Sequence, residues 1–360
     1  MVTQTYKGNC IMSQHETHWV GIDVSKQHFD AAVMKLGESS DPAVLRKLPT
    51  AQFPRTPEGV RSFLAWLDLP LGLSGQVRVV MEATGSYSTE LSAWWSQQRP
   101  ELAPAIINPR QSAHYIKSLG LRSKTDKLEA KALASYGAIR KPSAYVPLTP
   151  ARAELRELSR RRADLISQRT ALKNQIGEHP AYASQTVRQL DQDRLSQLNR
   201  DIAMLEEEIR ALTKRQDELA KDYNLLVSIP GVAFVTATTV LAELGDLRQF
   251  KRARRLSAFV GLDPMHKESG QSVRAKPRFC KAGNGRIRPL FYLAALASTR
   301  CKGPLQDAYH ASRNAGKPPM AAIGAIMRKL LVLMRAVIIS GKPYDPHHRS
   351  NANSCGVTCG

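Results

Sequence analysis

His18-Trp19-Val20-Gly21-Ile22-Asp23-Val24-Ser25-Lys26 is the stretch that decides the fold of the first part of this chain. Its apolar run predicts a buried β-strand from Trp19 to Val24, interrupted by a single carboxylate. The next run, His28 to Met34, predicts a second strand, so that the two form a hairpin. Burying an acid is costly unless a cation or hydrogen bonds compensate it. Asp23 therefore either belongs to a metal site or caps a turn at the strand end.

Two further strands are predicted beyond the hairpin. Gln76 to Gly85 reads as an apolar strand that ends at Glu82 and turns into a helix. Leu102 to Asn108 reads as another short strand. Two strands separated by a helix favour a parallel βαβ unit beside the hairpin, followed by mostly helical sequence from Gln111 to Arg140.

Four acids fall on these elements. Asp23 and Glu82 lie on strands, while Asp126 and Glu129 are three residues apart and share one helix face. Like charges at that spacing repel unless both face a cation, although acids also favour a first helical turn of the kind that Thr125 would cap. Together the four match an RNase-H-like cage for a hard cation, with Mg²⁺ as the expected cofactor. Two such ions can hold the attacking and leaving oxygens of a phosphodiester displacement.

The charge of the chain points to a polyanionic partner. Its 360 residues contain 52 Lys and Arg against 31 Asp and Glu, a net charge of +21. Nucleic acid is the simplest such partner. We expect no membrane partner, since no signal peptide is evident and the most apolar late stretch, Ala321 to Ser340, is interrupted by three basic residues. The five scattered cysteines favour free thiols in a reducing cytoplasm.

The middle of the chain is charged and nearly free of glycine. Between residues 151 and 222, leucine recurs at heptad spacing at Leu158, Leu165 and Leu172, and again at Leu198, Leu205, Leu212 and Leu219. This pattern predicts a coiled-coil seam. We favour pairing of the two helices between chains over an ordinary helical hairpin within one chain.

The last third carries two candidate phosphate contacts. Ile229-Pro230-Gly231 resembles a helix-hairpin-helix turn, although the usual second glycine is Ala233 here and a plain helix pair is the alternative. Ser269 follows Glu268 in a strongly basic region. On the residues alone this is a phosphate-binding loop, because a nucleophilic serine needs a base or a metal and no triad-like spacing supplies one. The basic residues assigned to phosphate are Arg274, Lys276, Arg278, Lys281, Arg286 and Arg288.

Eight blocks in order make the chain resemble a known family, the insertion-sequence transposases that include the Piv-type DNA invertases. These are DEDD recombinases associated with a noncoding bridge RNA. The resemblance covers roughly residues 18 to 345. The blocks are Gly21-Ile22-Asp23-Val24-Ser25-Lys26, Glu82-Ala83-Thr84-Gly85-Ser86-Tyr87, Asn108-Pro109, Lys124-Thr125-Asp126, Ile229-Pro230-Gly231, Phe259-Val260-Gly261-Leu262, Glu268-Ser269-Gly270 and Lys281-Ala282-Gly283.

The resemblance implies a RuvC-like nuclease domain and a serine that becomes covalently joined to DNA phosphate. The serine at the matching position is Ser269, and Ser272 is its close neighbour. Lys124, in the fourth block, is assigned to nucleic-acid contacts. The family usually has Asp where this chain has Glu129, which questions ligand reach rather than the presence of a carboxylate. The four metal ligands that the resemblance implies are Asp23, Glu82, Asp126 and Glu129.

The expected enzyme is therefore a transposase and site-specific DNA recombinase. Its implied partners are double-stranded DNA, a noncoding bridge RNA and further copies of the chain in a dimer or tetramer. Two alternatives stay open: a Holliday-junction-type nuclease that forms no covalent intermediate, and a catalytically degenerate nucleic-acid-binding scaffold. The expected fold has a disordered lead-in (1–16), an α/β RNase-H-like (RuvC-like) domain (17–150), a helical coiled-coil insert (151–222), a mainly α transposase domain with a helix-hairpin-helix-like motif (223–345) and a disordered tail (346–360).

Overall fold

The computed structural model describes residues 17–68, 76–121, 125–180, 182, 184–269, 273–279 and 283–347, with the backbone alone at 264–269 and 273–278. The chain divides into two compact units between Pro147 and Leu148. The predicted lead-in, most of the predicted tail, and Lys124, Ser272 and Lys281 lie outside the described residues.

The first unit is built on a five-stranded mixed sheet. Its strands are β1 (Thr17–Val24), β2 (His28–Lys35), β3 (Thr50–Pro54), β4 (Gln76–Glu82) and β5 (Ala105–Ile107), in the spatial order β3-β2-β1-β4-β5. β1 pairs antiparallel with β2 and parallel with β4, and β4 pairs parallel with β5. The predicted hairpin and βαβ unit are confirmed. The edge strand β3 was not predicted, because it is short and ends in a proline, which is typical of edge positions.

Helices cover both faces of this sheet. They are α1 (Pro42–Lys47), α2 (Pro57–Asp68), α3 (Ser86–Gln98), α4 (Pro109–Ser118) and α5 (Asp126–Arg140). On one face Ile22 and Phe29 pack with Phe63 of α2 and Trp95 of α3. On the other face Trp19 packs with residues of α5. Side chains alternate between the two faces along β1, so odd-numbered residues such as Trp19 and Asp23 lie on the face that α5 covers.

The second unit is mainly helical, as predicted. Its helices are α6 (Pro150–Gly177), α7 (Gln185–Arg215), α8 (Asp217–Val227), α9 (Phe234–Leu244), α10 (Ala253–Val260), α11 (Arg288–Ser298), α12 (Pro304–Asn314) and α13 (Pro319–Ser340). A two-stranded antiparallel hairpin, β6 (Pro264–Ser269) and β7 (Val273–Phe279), lies between α10 and α11 and was not predicted. Among the described residues, no helix combines the length and the apolar character needed to span a bilayer.

α6 and α7 pair with each other within the chain, as in the helical hairpin named above as the alternative to pairing between chains. Leu165 and Leu172 of α6 share a buried seam with Leu198 and Ile202 of α7. The helices run antiparallel, because His179 just beyond α6 pairs with Asp191 at 3.0 Å near the start of α7. The connection between them is short and returns the chain directly, so each helix reaches the apolar stripe of its neighbour first.

The turn between α8 and α9 is held by packing within the second unit. Gly231 has φ +86°, and a Cβ there would lie 2.6 Å from the backbone nitrogen of Ser298 in α11. The Ser298 hydroxyl donates to the Pro230 carbonyl at 2.7 Å. The glycine of this turn therefore has a structural reason that does not depend on phosphate binding.

Candidate metal centre

The strand register places two acids opposite each other near the turn of the first hairpin. Asp23 of β1 is the direct partner of Asp30 of β2. Directly opposite residues of an antiparallel pair point to the same face of the sheet. β4 runs parallel beside β1 with Met81 opposite Ile22, so Glu82 ends the neighbouring strand close to Asp23. Three carboxylates therefore lie on the face that α5 covers.

Two glycines let α5 approach this face closely. A Cβ at Gly21 would overlap the carbonyl oxygen of Ala130 and the backbone nitrogen of Ala134, and a Cβ at Gly137 would overlap the Trp19 ring. The backbone of α5 thus lies directly on β1. Thr125 caps the helix, since its hydroxyl accepts from the Leu128 backbone N–H at 3.3 Å. The first turn of α5 begins beside the carboxylates of the sheet.

The first turn of α5 places Asp126 and Glu129 near Asp23, and their charges help to raise the pKa of Asp23. Burial, and then the charges of Glu129, Asp126, Glu82 and Asp30 in that order, together raise the pKa of Asp23 from 3.8 to about 7. Glu129 is the strongest of these charged neighbours. The Glu129 side chain therefore still acts on Asp23, although the resemblance described above implies an Asp at this position.

A compact triad lies at one side of this acid cluster. His28 Nε2 is 3.7 Å from an oxygen of Asp30 and 3.7 Å from an oxygen of Asp126. One ligand atom from each of the three residues lies within 4.8 Å of the other two. Among the described residues, this is the group of His, Cys, Asp or Glu side chains that is compact enough to hold a metal ion. Of the four predicted ligands, this triad includes only Asp126.

Asp30 is the most unusual member of the site. Its side chain is 1% exposed, and its Oδ2 accepts from Gln52 Nε2 at 3.1 Å. Its Oδ1 is buried and has no hydrogen-bond partner among the residues that the structure describes. Sequence reasoning missed His28 and Asp30. The signal was their i, i+2 spacing on β2, which puts both on the face of Asp23 once the hairpin register is known.

Glu82 is oriented from the neighbouring helix α4. The Ser112 hydroxyl donates to Glu82 Oε2 at 2.6 Å, and Ser112 is fully buried. A fixed hydroxyl donor of this kind holds one carboxylate oxygen and leaves the other available to a ligand.

The predicted serine lies in the second unit, apart from the acids in chain position. Ser269 is the last residue of β6, and its backbone pairs with Val273. For Ser269, and for Arg274, Lys276 and Arg278 on β7, the side chains lie outside what the structure describes.

The two described basic candidates both have protein partners. Arg286 forms an ion pair with Asp164 at 3.3 Å and is exposed. Arg288 Nη1 donates to the carbonyl oxygens of Val260 at 3.2 Å and Gly283 at 3.0 Å. These contacts give Arg288 a structural role, whereas the exposed ion pair of Arg286 is weak enough to be exchanged for a phosphate.

Comparison with known proteins gives two family matches in order along the chain. A DEDD transposase model of the IS110 type matches residues 20–179, and the model described as the transposase IS116/IS110/IS902 family matches residues 223–311. The first range contains the four predicted acids, and the second contains Ser269.

Curated relatives agree with these matches. The chain is 28% identical over 328 residues to the pilin gene-inverting protein of Moraxella bovis, across 91% of this chain and 97% of that protein. The protein of the same description from Moraxella lacunata gives the same values. The transposase for insertion sequence element IS1111A of Coxiella burnetii is 31% identical over 251 residues, 62% of this chain and 66% of that protein.

Proposed function

Because the chain belongs to the IS116/IS110/IS902 family of transposases, we propose that it is the site-specific recombinase of an insertion sequence. Membership of a transposase family makes it a DNA-recombining enzyme. The observation that carries the proposed chemistry is the acid cluster around Asp23, whose pKa is raised to about 7 by burial and by the charges of these acids. The mixed sheet, with its antiparallel hairpin and parallel βαβ unit, supports assigning the first unit to the RNase-H-like (RuvC-like) class.

The cluster fits a divalent cation. Mutual repulsion among the acids is the situation that a bound cation relieves, and the buried Oδ1 of Asp30 lacks a donor among the described residues. All-oxygen ligands favour Mg²⁺. When bound, the ion polarises the scissile phosphate and offsets the charge that develops on it. The residues that would hold Mg²⁺ are Asp23, Glu82, Asp126 and Glu129.

The chain's own residues prepare this site before any DNA arrives. Gly21 admits the α5 backbone, Thr125 fixes the start of the helix and Ser112 fixes Glu82. Asp23 holds a proton near neutral pH, because its pKa is about 7 without a cation. Apart from the loss of this proton, the ligands are already in position when substrate binds.

The second proposed component is Ser269. Its Oγ would attack a DNA phosphorus, forming a phosphoserine bond and breaking the bond to one DNA oxygen, which leaves as a hydroxyl with the proton that the serine loses. A DNA hydroxyl from the exchanged strand would then attack the same phosphorus, reform a phosphodiester and return the proton to Ser269. No external energy source is needed, since each step exchanges one phosphate ester for another. This role rests on the family resemblance.

The proposed partners are DNA, a noncoding bridge RNA and further copies of the chain. The charge of +21 supports contacts with polyanions, and each phosphate contacted would contribute about −0.9 to the slope of log K against log salt for duplex DNA. Strand exchange joins two duplexes, which supports a homo-oligomer with more than one site.

The proposal is tested by trapping protein on labelled DNA that carries the element ends, with Mg²⁺ and the element's own transcript. Wild type is compared with Ser269→Ala, Asp126→Asn and the matched control Ser272→Ala. We expect a covalent protein–DNA adduct in wild type and Ser272→Ala, and none in the other two variants. Omitting the transcript tests RNA guidance in the same assay.

The two alternatives give different products. Free cleaved ends that persist in Ser269→Ala, with no adduct in wild type, would replace the recombinase by a hydrolytic nuclease. DNA binding without any cleaved product, with or without Mg²⁺, would leave a binding scaffold.

A further inference from the structure

His28 and Asp30 suggest that the acid cluster holds a second cation. This inference rests on the proposed function, because it concerns the same site. Neither residue belongs to the set of four acids that the family resemblance implies. Both reach the site through β2, the return strand of the hairpin, and they share one face because they are two residues apart.

The burial of Asp30 is the first argument. A carboxylate that is 1% exposed and accepts a single hydrogen bond from a neutral amide is costly to keep charged. Its Oδ1 has no partner among the described residues, although Asp126 and His28 lie next to the same carboxylate. The oxygen of Asp30 nearest His28 is Oδ2, and a cation bound there would offset the charge of this buried carboxylate.

The distances within the triad are the second argument. His28 Nε2 lies 3.7 Å from oxygens of both Asp30 and Asp126. This is too long for a hydrogen bond, for which about 2.7–3.2 Å is usual. Two atoms that each lie about 2.1 Å from one ion are separated by at most about 4.2 Å, so both distances suit ligands arranged around a cation. The His28 side chain is 36% exposed, which leaves the position open to solvent.

Charge balance is the third argument. Asp23 and the four acids around it make five carboxylates, and one divalent ion offsets only two of their charges. Two divalent ions would offset four. A scissile phosphate brings a further negative charge, so a site with a single ion would repel its substrate.

We propose that His28, Asp30 and Asp126 form a second divalent-cation position beside that of the other acids, with Asp126 facing both. The imidazole nitrogen makes this position more favourable for a first-row transition ion such as Mn²⁺ than for Mg²⁺, which prefers oxygen ligands throughout.

The test measures Mn²⁺ binding to the metal-free full-length protein without DNA. Loss of the free-ion signal in electron paramagnetic resonance gives the number of ions bound, and pulsed spectra show nitrogen coupling if an imidazole ligates Mn²⁺. We expect two ions and nitrogen coupling in wild type. His28→Gln and Asp30→Asn should each bind one ion, and His28→Gln should lose the nitrogen coupling. His114→Gln and Asp41→Asn, both exposed, are matched controls that should behave as wild type.

The outcomes separate this inference from the proposed function. One bound Mn²⁺ in wild type overturns the second position while leaving the proposed metal centre intact. Two ions with no loss in either variant also overturn it, because other residues then hold the second ion. No binding at millimolar Mn²⁺ would instead remove the metal centre itself. Unchanged tryptophan fluorescence shows that each variant is folded, since all four tryptophans lie in the first unit.

Discussion

Replacing Asp23 by Asn should stabilise the metal-free protein while abolishing its metal-dependent chemistry. The pKa of Asp23 is raised from 3.8 to about 7, first by burial and then by four neighbouring acids. In the folded state Asp23 therefore keeps its proton up to about pH 7, whereas in the unfolded state it loses it near pH 4. The folded state loses stability as the pH rises between these two values. An Asn at this position has no proton to lose.

The magnitude follows from the size of the shift. A difference of about 3 pH units corresponds to about 4 kcal/mol at full ionisation, at about 1.4 kcal/mol per unit. Asp23 is partly exposed, so solvent screening reduces this to about 2 kcal/mol. We expect Asp23→Asn to match wild type below about pH 4 and to exceed its free energy of unfolding by about 2 kcal/mol at pH 8.

The assay is urea unfolding in the presence of EDTA, followed by tryptophan fluorescence. Trp19, Trp66, Trp94 and Trp95 all lie in the first unit, so the signal reports on the unit that contains the site. Asp41→Asn is the control in the same unit, because Asp41 is exposed and Asn caps helix α1 equally well. Added Mg²⁺ should stabilise wild type and Asp41→Asn but not Asp23→Asn. Equal pH dependence in wild type and Asp23→Asn would refute the reasoning, since repulsion at Asp23 would then be absent.

Four further predictions follow from individual residues. Gly21→Ala should destabilise the first unit by several kcal/mol in the tryptophan assay, about as much as a strongly overpacked core, because the methyl group overlaps the α5 backbone. Ser112→Ala should weaken Mg²⁺ binding about tenfold by calorimetry and leave folding nearly unchanged, because it removes the hydroxyl that orients Glu82. Mg²⁺ affinity should rise with pH up to about 7 and then level off, because the ion must displace the proton of Asp23. Arg152→Ala should lower the free energy of unfolding of the second unit by about 3–5 kcal/mol, followed by circular dichroism, because buried Asp222 would lose its ion pair with Arg152.

The sequence alone predicts the parts of the fold that local pattern determines. The sequence predicts β1, β2 and β4 from their apolar runs and α5 from its capped start. These elements carry four of the acids. Asp30 and His28 could not be assigned, because their role depends on the hairpin register, which a one-residue slip would reverse. The sequence likewise could not predict which helix packs against the leucine seam of α6, since a heptad pattern describes one helix and not its neighbour. The β6–β7 hairpin was missed because its basic residues were assigned to phosphate contacts, although apolar and basic residues alternate along β7 from Val273 to Phe279.

The two sides of the first sheet divide the work between stability and chemistry. On one side Phe29, Phe53 and Phe63 contact one another, and Phe63 also contacts Trp95 with ring centroids 4.5 Å apart. Buried aromatic side chains of this size contribute most to core stability. On the other side Gly21 and its neighbours admit a helix whose first turn repels the carboxylates beneath it. The aromatic side must offset that repulsion when no cation is bound, so substitutions there should unfold the metal-free protein more readily than the metal-bound one.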